Sequence, residues 1–221
     1  MGHSTTNNMI WSTSTAICKH LSGLVELPNP KAAWRQKCQD FSMNCQFPDC
    51  IGAMDGKQVN IVKPKKSGSV FFNYKKAHGI VLFAVVDARY KFMYVDASAS
   101  GSSSDGGIWS GTPLQTLLTT GKLGLLKPIQ LPNSSLLLSP VFLGYNAFPL
   151  IENIMKPYPG SHLCPEDDAF NERLSRARNV VESAFDTVQT ASVPTTLQFT
   201  RSQDMSNYYY CAAPPPPGER K

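Results

Sequence analysis

Apolar positions along the chain change period several times, and each change predicts an element. Ile17, Leu21, Leu24 and Val25 recur at helical spacing behind the hydroxyl residues Ser12, Thr13, Ser14 and Thr15. That pattern predicts a short N-capped helix that buries one face, closed by Pro28 and Pro30, with residues 1–10 polar and frayed. Its off-stripe Lys19 and His20 suit either a surface that lies on DNA or an ordinary solvated one. A second helix is expected from Ala32 to Phe41, carrying Trp34 and Phe41 inward.

From Cys50 the period falls towards two. The small apolar run 50–54 ends in Asp55-Gly56, and Val59 and Ile61 alternate after it. Two readings fit: a strand that closes in an Asp-Gly turn, or a strand whose carboxylate projects at an edge where a divalent cation could meet it. Residues 80–86 are apolar on both faces and predict a central strand. Residues 92–96 follow a turn at 87–90 and form its hairpin partner. Residues 98–107, almost all Ser, Gly and Ala, read as a loop, either flexible or aiming Asp105 back at Asp55. A short helix over 109–118, a buried strand at 140–144 and a polar connector at 162–168 come next. The clearest helix follows, with Phe170, Leu174, Ala177, Val181, Phe185 and Val188 on one stripe. Glu182 lies beside that stripe, placed either to reach a site or to pair with Arg178 one turn earlier. The last dozen residues, with Pro214 to Pro217, read as a disordered tail.

Composition narrows the class. A chain of 221 residues, 42% apolar, has material for one sizeable core. Its formal charge of +5 is uneven: residues 1–90 carry +6, residues 91–150 +1 and residues 151–221 −2. A basic front half is weak support for a polyanionic partner. Lys63, Lys65 and Lys66 beside Ser67-Gly68-Ser69 could grip a phosphate backbone or form a solvated basic loop, and Phe71-Phe72-Asn73-Tyr74-Lys75-Lys76, aromatics next to more basic groups, suits a strand or a nucleotide contact. Six cysteines with no Cys-x-x-Cys pair, and no secretory signal at the N-terminus, favour reduced thiols in an intracellular protein. The longest apolar runs fall far short of a membrane span.

Taken together, the segments resemble the DDE-type transposases of PIF/Harbinger elements and the nucleases derived from them. The resemblance rests on Phe47-Pro48-Asp49-Cys50-Ile51-Gly52-Ala53-Met54-Asp55-Gly56-Lys57, Ser67-Gly68-Ser69 with Phe72-Asn73-Tyr74-Lys75, Val85-Val86-Asp87-Ala88, and Gly101 with Ser104-Asp105. Further along it rests on Gly144 with Ala147-Phe148-Pro149-Leu150, and on Phe170-Asn171, Leu174-Ser175-Arg176-Ala177-Arg178 and Val181-Glu182-Ser183-Ala184-Phe185. It spans about residues 28–188.

The resemblance implies an α/β fold with an RNase H-like core: a mixed central sheet flanked by helices, preceded by a short N-terminal helical segment. It divides the chain into that segment (1–46), a nuclease domain (47–188) and a diverged C-terminal segment and tail (189–221). By position, Asp55 and Glu182 are the implied catalytic acids, and Asp55, Asp105 and Glu182 the implied ligands of divalent Mg or Mn. Carboxylate oxygens suit such hard cations, and two ions about 4 Å apart would clamp the attacking water and the leaving oxygen of a DNA phosphodiester. Lys57, Lys63, Lys65, Lys66, Lys75 and Lys76 are the implied nucleic-acid contacts. A Myb-like DNA-binding protein is the implied partner, and the nucleus the implied compartment, with the cytoplasm second.

One position departs from the pattern. The family has Gly-Asp-x-Ala-Phe where this chain has Gly144-Tyr145-Asn146-Ala147-Phe148, and a phenol offers no carboxylate charge at neutral pH. Two functions therefore compete: a metal-dependent DNA endonuclease, and a catalytically impaired descendant that binds DNA or protein. A third, a small α/β enzyme unrelated to nucleic acid, would show no salt-dependent DNA binding.

Overall fold

A computed structural model describes residues 3–29, 31–63, 67–73, 76–130, 135 and 137–191. The first surprise is at the centre. Cys50–Asn60 forms a single strand, β1, that runs straight through Asp55-Gly56 without a turn. Residues 50–54 are fully enclosed, which leaves the backbone there no partner but neighbouring strands. Gly79–Val86 (β2) pairs antiparallel along it, Asp55 opposite Ala84, and this ladder holds the Asp-Gly step extended.

Phe92–Ser100 (β3) pairs antiparallel with β2 around the expected turn, and runs four residues beyond the predicted hairpin partner. Ala99 and Ser100 pair with Val81 and Ile80, so the first three residues of the Ser/Gly/Ala stretch are strand rather than loop. After it come two short helices, Asp105–Gly111 (α3) and Pro113–Thr119 (α4), where one was expected. Thr112 separates them: it ends the first, and its hydroxyl caps the second, accepting from the Gln115 N–H. Ile129–Gln130 (β4) and Leu137–Leu138 (β5) form a two-stranded ribbon apart from the main sheet. Val141–Leu143 (β6) is the buried strand expected there and lies parallel to β1; Ile154–Met155 (β7) lies parallel to β6. The central sheet is therefore mixed, in the order β3-β2-β1-β6-β7.

Three longer helices complete the described residues. His3–Leu21 (α1) occupies the stretch expected to fray, and its apolar stripe is not buried: Ile17 is 53% and Leu24 59% exposed. Ser12 does not cap it but bonds back to the Met9 carbonyl, a local bond that helix interiors tolerate. Lys31–Cys45 (α2) buries Trp34 and Phe41 completely, as expected. Pro165–Ala191 (α5) absorbs the end of the acidic connector, because Glu166, Asp167 and Asp168 in its first turn favour the positive end of the helix.

The helices fill both faces of the sheet. One core gathers Ile51, Met54, Phe83, Trp109, Leu114, Phe142 and Phe148. The other gathers Ala53, Ala84, Val86, Leu143 and the α5 residues Leu174, Ala177, Val181 and Phe185, with Val188, at the end of that stripe, 50% exposed. Cys38, Cys45, Cys50 and Cys164 carry free thiols, and burial pushes the Cys38 thiol up to about 11, far from the reactive thiolate. Among the described residues no helix is long and apolar enough to cross a membrane. The proposed C-terminal tail, with Cys211, lies outside the described residues.

Candidate active site

Beyond Ala53, β1 loses its neighbour on one side, since β6 stops at Leu143, opposite Ala53. The next residues of β1 therefore have an edge that no strand covers, and Asp55 is the first carboxylate on it. Its Oδ1 accepts the Gly56 N–H at 2.9 Å. By the alternation of a strand Asp55 shares the side of Ala53, which faces α5.

On that side α5 presents Arg178, Glu182 and Asp186, four residues apart and thus in one row. Arg178 reaches both acids: its guanidinium lies 2.7 Å from Glu182 Oε1 and 3.7 Å from Asp55 Oδ2. Both are ion pairs, the first at close contact and the second too long for a hydrogen bond. Lys57, two residues on from Asp55, meets Asp186 at 3.1 Å. Of the two roles open to Glu182, the pairing with Arg178 is the one seen, and the same guanidinium also lies beside Asp55.

Asp105 comes from the opposite face. It opens α3, whose N-terminus Ser104 caps by accepting the Gly107 N–H. A Cβ at position 56 would collide with Asp105 Oδ1 and touch Val81, so only glycine lets this carboxylate come so close to β1. Gly106 is confined in the same way, by the Ala147 carbonyl, which seats α3 against the turn after β6. That turn carries Tyr145. The strand has already ended, Asn146 lies in the turn, and the Arg178 guanidinium sits over the Tyr145 ring, 4.7 Å from its centroid.

The electrostatics follow from three acids beside β1, two of them around one guanidinium. Burial pushes the Asp55 carboxyl above its usual value; the Gly56 N–H and Arg178 pull it down, while Asp105 and Glu182 push it further up. Burial alone raises Asp105. The three carboxylates are thus close enough for Asp105 and Glu182 to act on Asp55. In kind they fit a hard divalent cation. In arrangement Arg178 stands between two of them and Asp105 approaches across the strand, so that among the described residues no group of three or more acidic, His or Cys side chains is gathered tightly enough to hold a metal ion.

Of the lysines singled out, Lys57 is at the site, paired with Asp186; Lys63 and Lys76 are exposed on the 61–78 segment; Lys65, Lys66 and Lys75 lie outside the described residues. Sequence reasoning missed the span of Arg178 across both acids and the clearance role of Gly56. The signal for the second was present, since a glycine beside a candidate acid marks close approach.

Comparison with known proteins agrees with this geometry in lineage. The family model described as "DDE superfamily endonuclease" matches residues 54–212, well over half of the chain. "Protein ALP1-like" of Arabidopsis thaliana is 25% identical over 191 residues, covering 83% of this chain and 45% of its own length. "Putative nuclease HARBI1" of Xenopus laevis is 23% identical over 140 residues, covering 57% of this chain and 40% of its own. The chain thus spans less than half the length of these relatives. No solved structure matches it. A carboxylate at an uncovered strand edge, a glycine-cleared second one, a helical glutamate and a family match across them all lead to one statement: the chain belongs to the DDE superfamily endonuclease family.

Proposed function

We propose that this chain is a nuclease-like protein of transposase descent, of the Harbinger type, that acts on DNA phosphodiester bonds with the help of a divalent cation, Mg or Mn. The observation that carries the reading is the approach of Asp55, Asp105 and Glu182 to one another at the part of β1 beyond β6. The strand order, antiparallel from β3 to β1 and parallel from β1 to β7, supports an RNase H-like core. A bound cation would supply Lewis-acid stabilisation of charge on the phosphoryl oxygens and a more acidic water. Asp55 and Glu182 would hold it and act as the catalytic acids, with Asp105 helping from across the strand. Lys57, at the rim, would meet the DNA backbone, together with the basic surplus of residues 1–90. DNA, a Myb-like DNA-binding partner and a nuclear location, with the cytoplasm second, belong to the same proposal.

A second reading is favoured by Tyr145. Where an acid is expected, a neutral ring packs on Arg178, so cleavage would be impaired while DNA or protein binding survives. Supercoiled plasmid incubated with Mn²⁺ separates the two. Nicking by the unaltered chain, lost in Asp55→Ala, supports the nuclease; cleavage that appears only in Tyr145→Asp supports the impaired descendant. Absence of any salt-dependent DNA binding removes the nuclease and favours a small α/β enzyme unrelated to nucleic acid.

A further inference from the structure

We propose that Arg178, held against the ring of Tyr145, is a built-in cation that occupies the Asp55–Glu182 pair and keeps a divalent ion off it until displaced; this rests on reading those carboxylates as the metal ligands. The guanidinium bridges the two acids at 2.7 and 3.7 Å, so any ion held by both must enter where a fixed positive charge already stands. Only 11% of the Arg178 side chain is exposed, against 46% of Glu182, so the cation is the enclosed partner of the pair. A guanidinium does not lose its charge, so no ordinary change of pH opens the site from its side.

Tyr145 fixes the plug in place. Its ring face, 4.7 Å from the guanidinium carbon, is an attractive wall for the charge. A carboxylate at this position would instead compete with Asp55 and Glu182 for Arg178. The aromatic residue therefore does more than omit a ligand: it leaves the full charge of Arg178 on the two ligands that remain. The site as built is a closed salt-bridge cluster, and metal affinity becomes a measure of how firmly Arg178 is held.

The test uses the full chain and Mn²⁺ alone, with no DNA, free Mn²⁺ being read by its paramagnetic resonance signal. Unaltered protein should bind weakly. Arg178→Gln should bind roughly tenfold more tightly or better, and adding Asp55→Asn should abolish that gain. Tyr145→Leu, which leaves every charge in place and keeps the test open if Arg178→Gln fails to fold, should tighten binding by about two- to fourfold. Affinities in Arg178→Gln and Tyr145→Leu no tighter than in the unaltered chain would overturn the proposal. The nuclease reading fails separately. Tightened Mn²⁺ binding with plasmid left intact by every variant keeps the plug and removes the nuclease, whereas Asp55-dependent nicking with Mn²⁺ affinity unmoved in Arg178→Gln keeps the nuclease and removes the plug.

Discussion

Two clusters of acids and bases lie on this fold, and they are built on opposite terms. At the β2–β3 turn, each acid has partners of its own. Asp87 meets Lys37 at 2.6 Å, and its other oxygen accepts the N–H groups of Arg89 and Lys91. Asp40 meets Arg89 at 2.9 Å and accepts from Gln36. Burial pushes the Asp40 carboxyl up, but Gln36 and Arg89 outweigh it and leave it below its usual value. At the edge of β1 beyond β6, Asp55 and Glu182 share one guanidinium, Asp105 has no cation shown beside it among the described residues, and Asp55 and Asp105 are raised. The first cluster is balanced and ties α2 to the turn. The second is short of positive charge, which is what a stable fold avoids unless something else is meant to bind.

The largest effect should come from breaking the balanced cluster. Asp87→Ala leaves Lys37 and two backbone N–H groups without their carboxylate, and should cost about 2–4 kcal/mol in urea unfolding. Asp55→Asn should cost nothing or raise stability at neutral pH, because ionised Asp55 is the disfavoured form. A loss as large as that of Asp87→Ala would erase the contrast between the clusters.

Next comes clearance. Gly56→Ala drives a methyl group into Asp105 and should cost about 1–3 kcal/mol. In an Asp105→Ala background the cost should shrink, and a double-mutant cycle reads the coupling. Additive effects would mean that Asp105 does not sit on position 56.

The pH dependence sharpens the comparison further. Asp55 is raised in the fold, so its contribution is fully present below the usual carboxylate value of 3.8 and is lost as pH rises through its folded value. Asp40 is lowered, so its contribution is present above 3.8 and is lost as pH falls through its folded value. Relative to the unaltered chain, Asp55→Asn should therefore gain stability and Asp40→Asn lose it as pH climbs from about 3 to 6 in urea titrations. Slopes of the same sign would sink the distinction. The smallest effect belongs to Lys57→Gln. Its exposed pair with Asp186 should matter by less than about 0.5 kcal/mol, while the salt slope of DNA binding should drop by about one.

Much of this molecule was legible in the order of its residues. The apolar run 80–86 had to be a central strand, since nothing polar on it could face water, and it is β2. Trp34 and Phe41 share a helical face and are fully buried. The α5 stripe came from its period and lies on the sheet through Leu174, Ala177, Val181 and Phe185, its last member Val188 excepted. The motifs around Asp55, Asp105 and Glu182 carried the lineage, which the family match bears out. These features are local or periodic, and a single segment states them.

What composition misled about was decided by partners far away in sequence. Asp55-Gly56 is a turn by local preference and a strand by its ladder with β2. The Ser/Gly/Ala stretch is a loop by composition, yet its start is the end of β3 and its end the first turn of α3. The α1 stripe looks amphipathic yet leaves Ile17 and Leu24 in water, since a pattern can call for burial without supplying the surface that provides it. Above all, the sequence named the acids but could not say how they stand to one another. That Asp105 crosses to Asp55 over a missing side chain, and that Arg178 on its Tyr145 wall spans the other two, depends on how β1, α3, α5 and the turn after β6 pack together. Distances between side chains on separate elements are set by that packing alone.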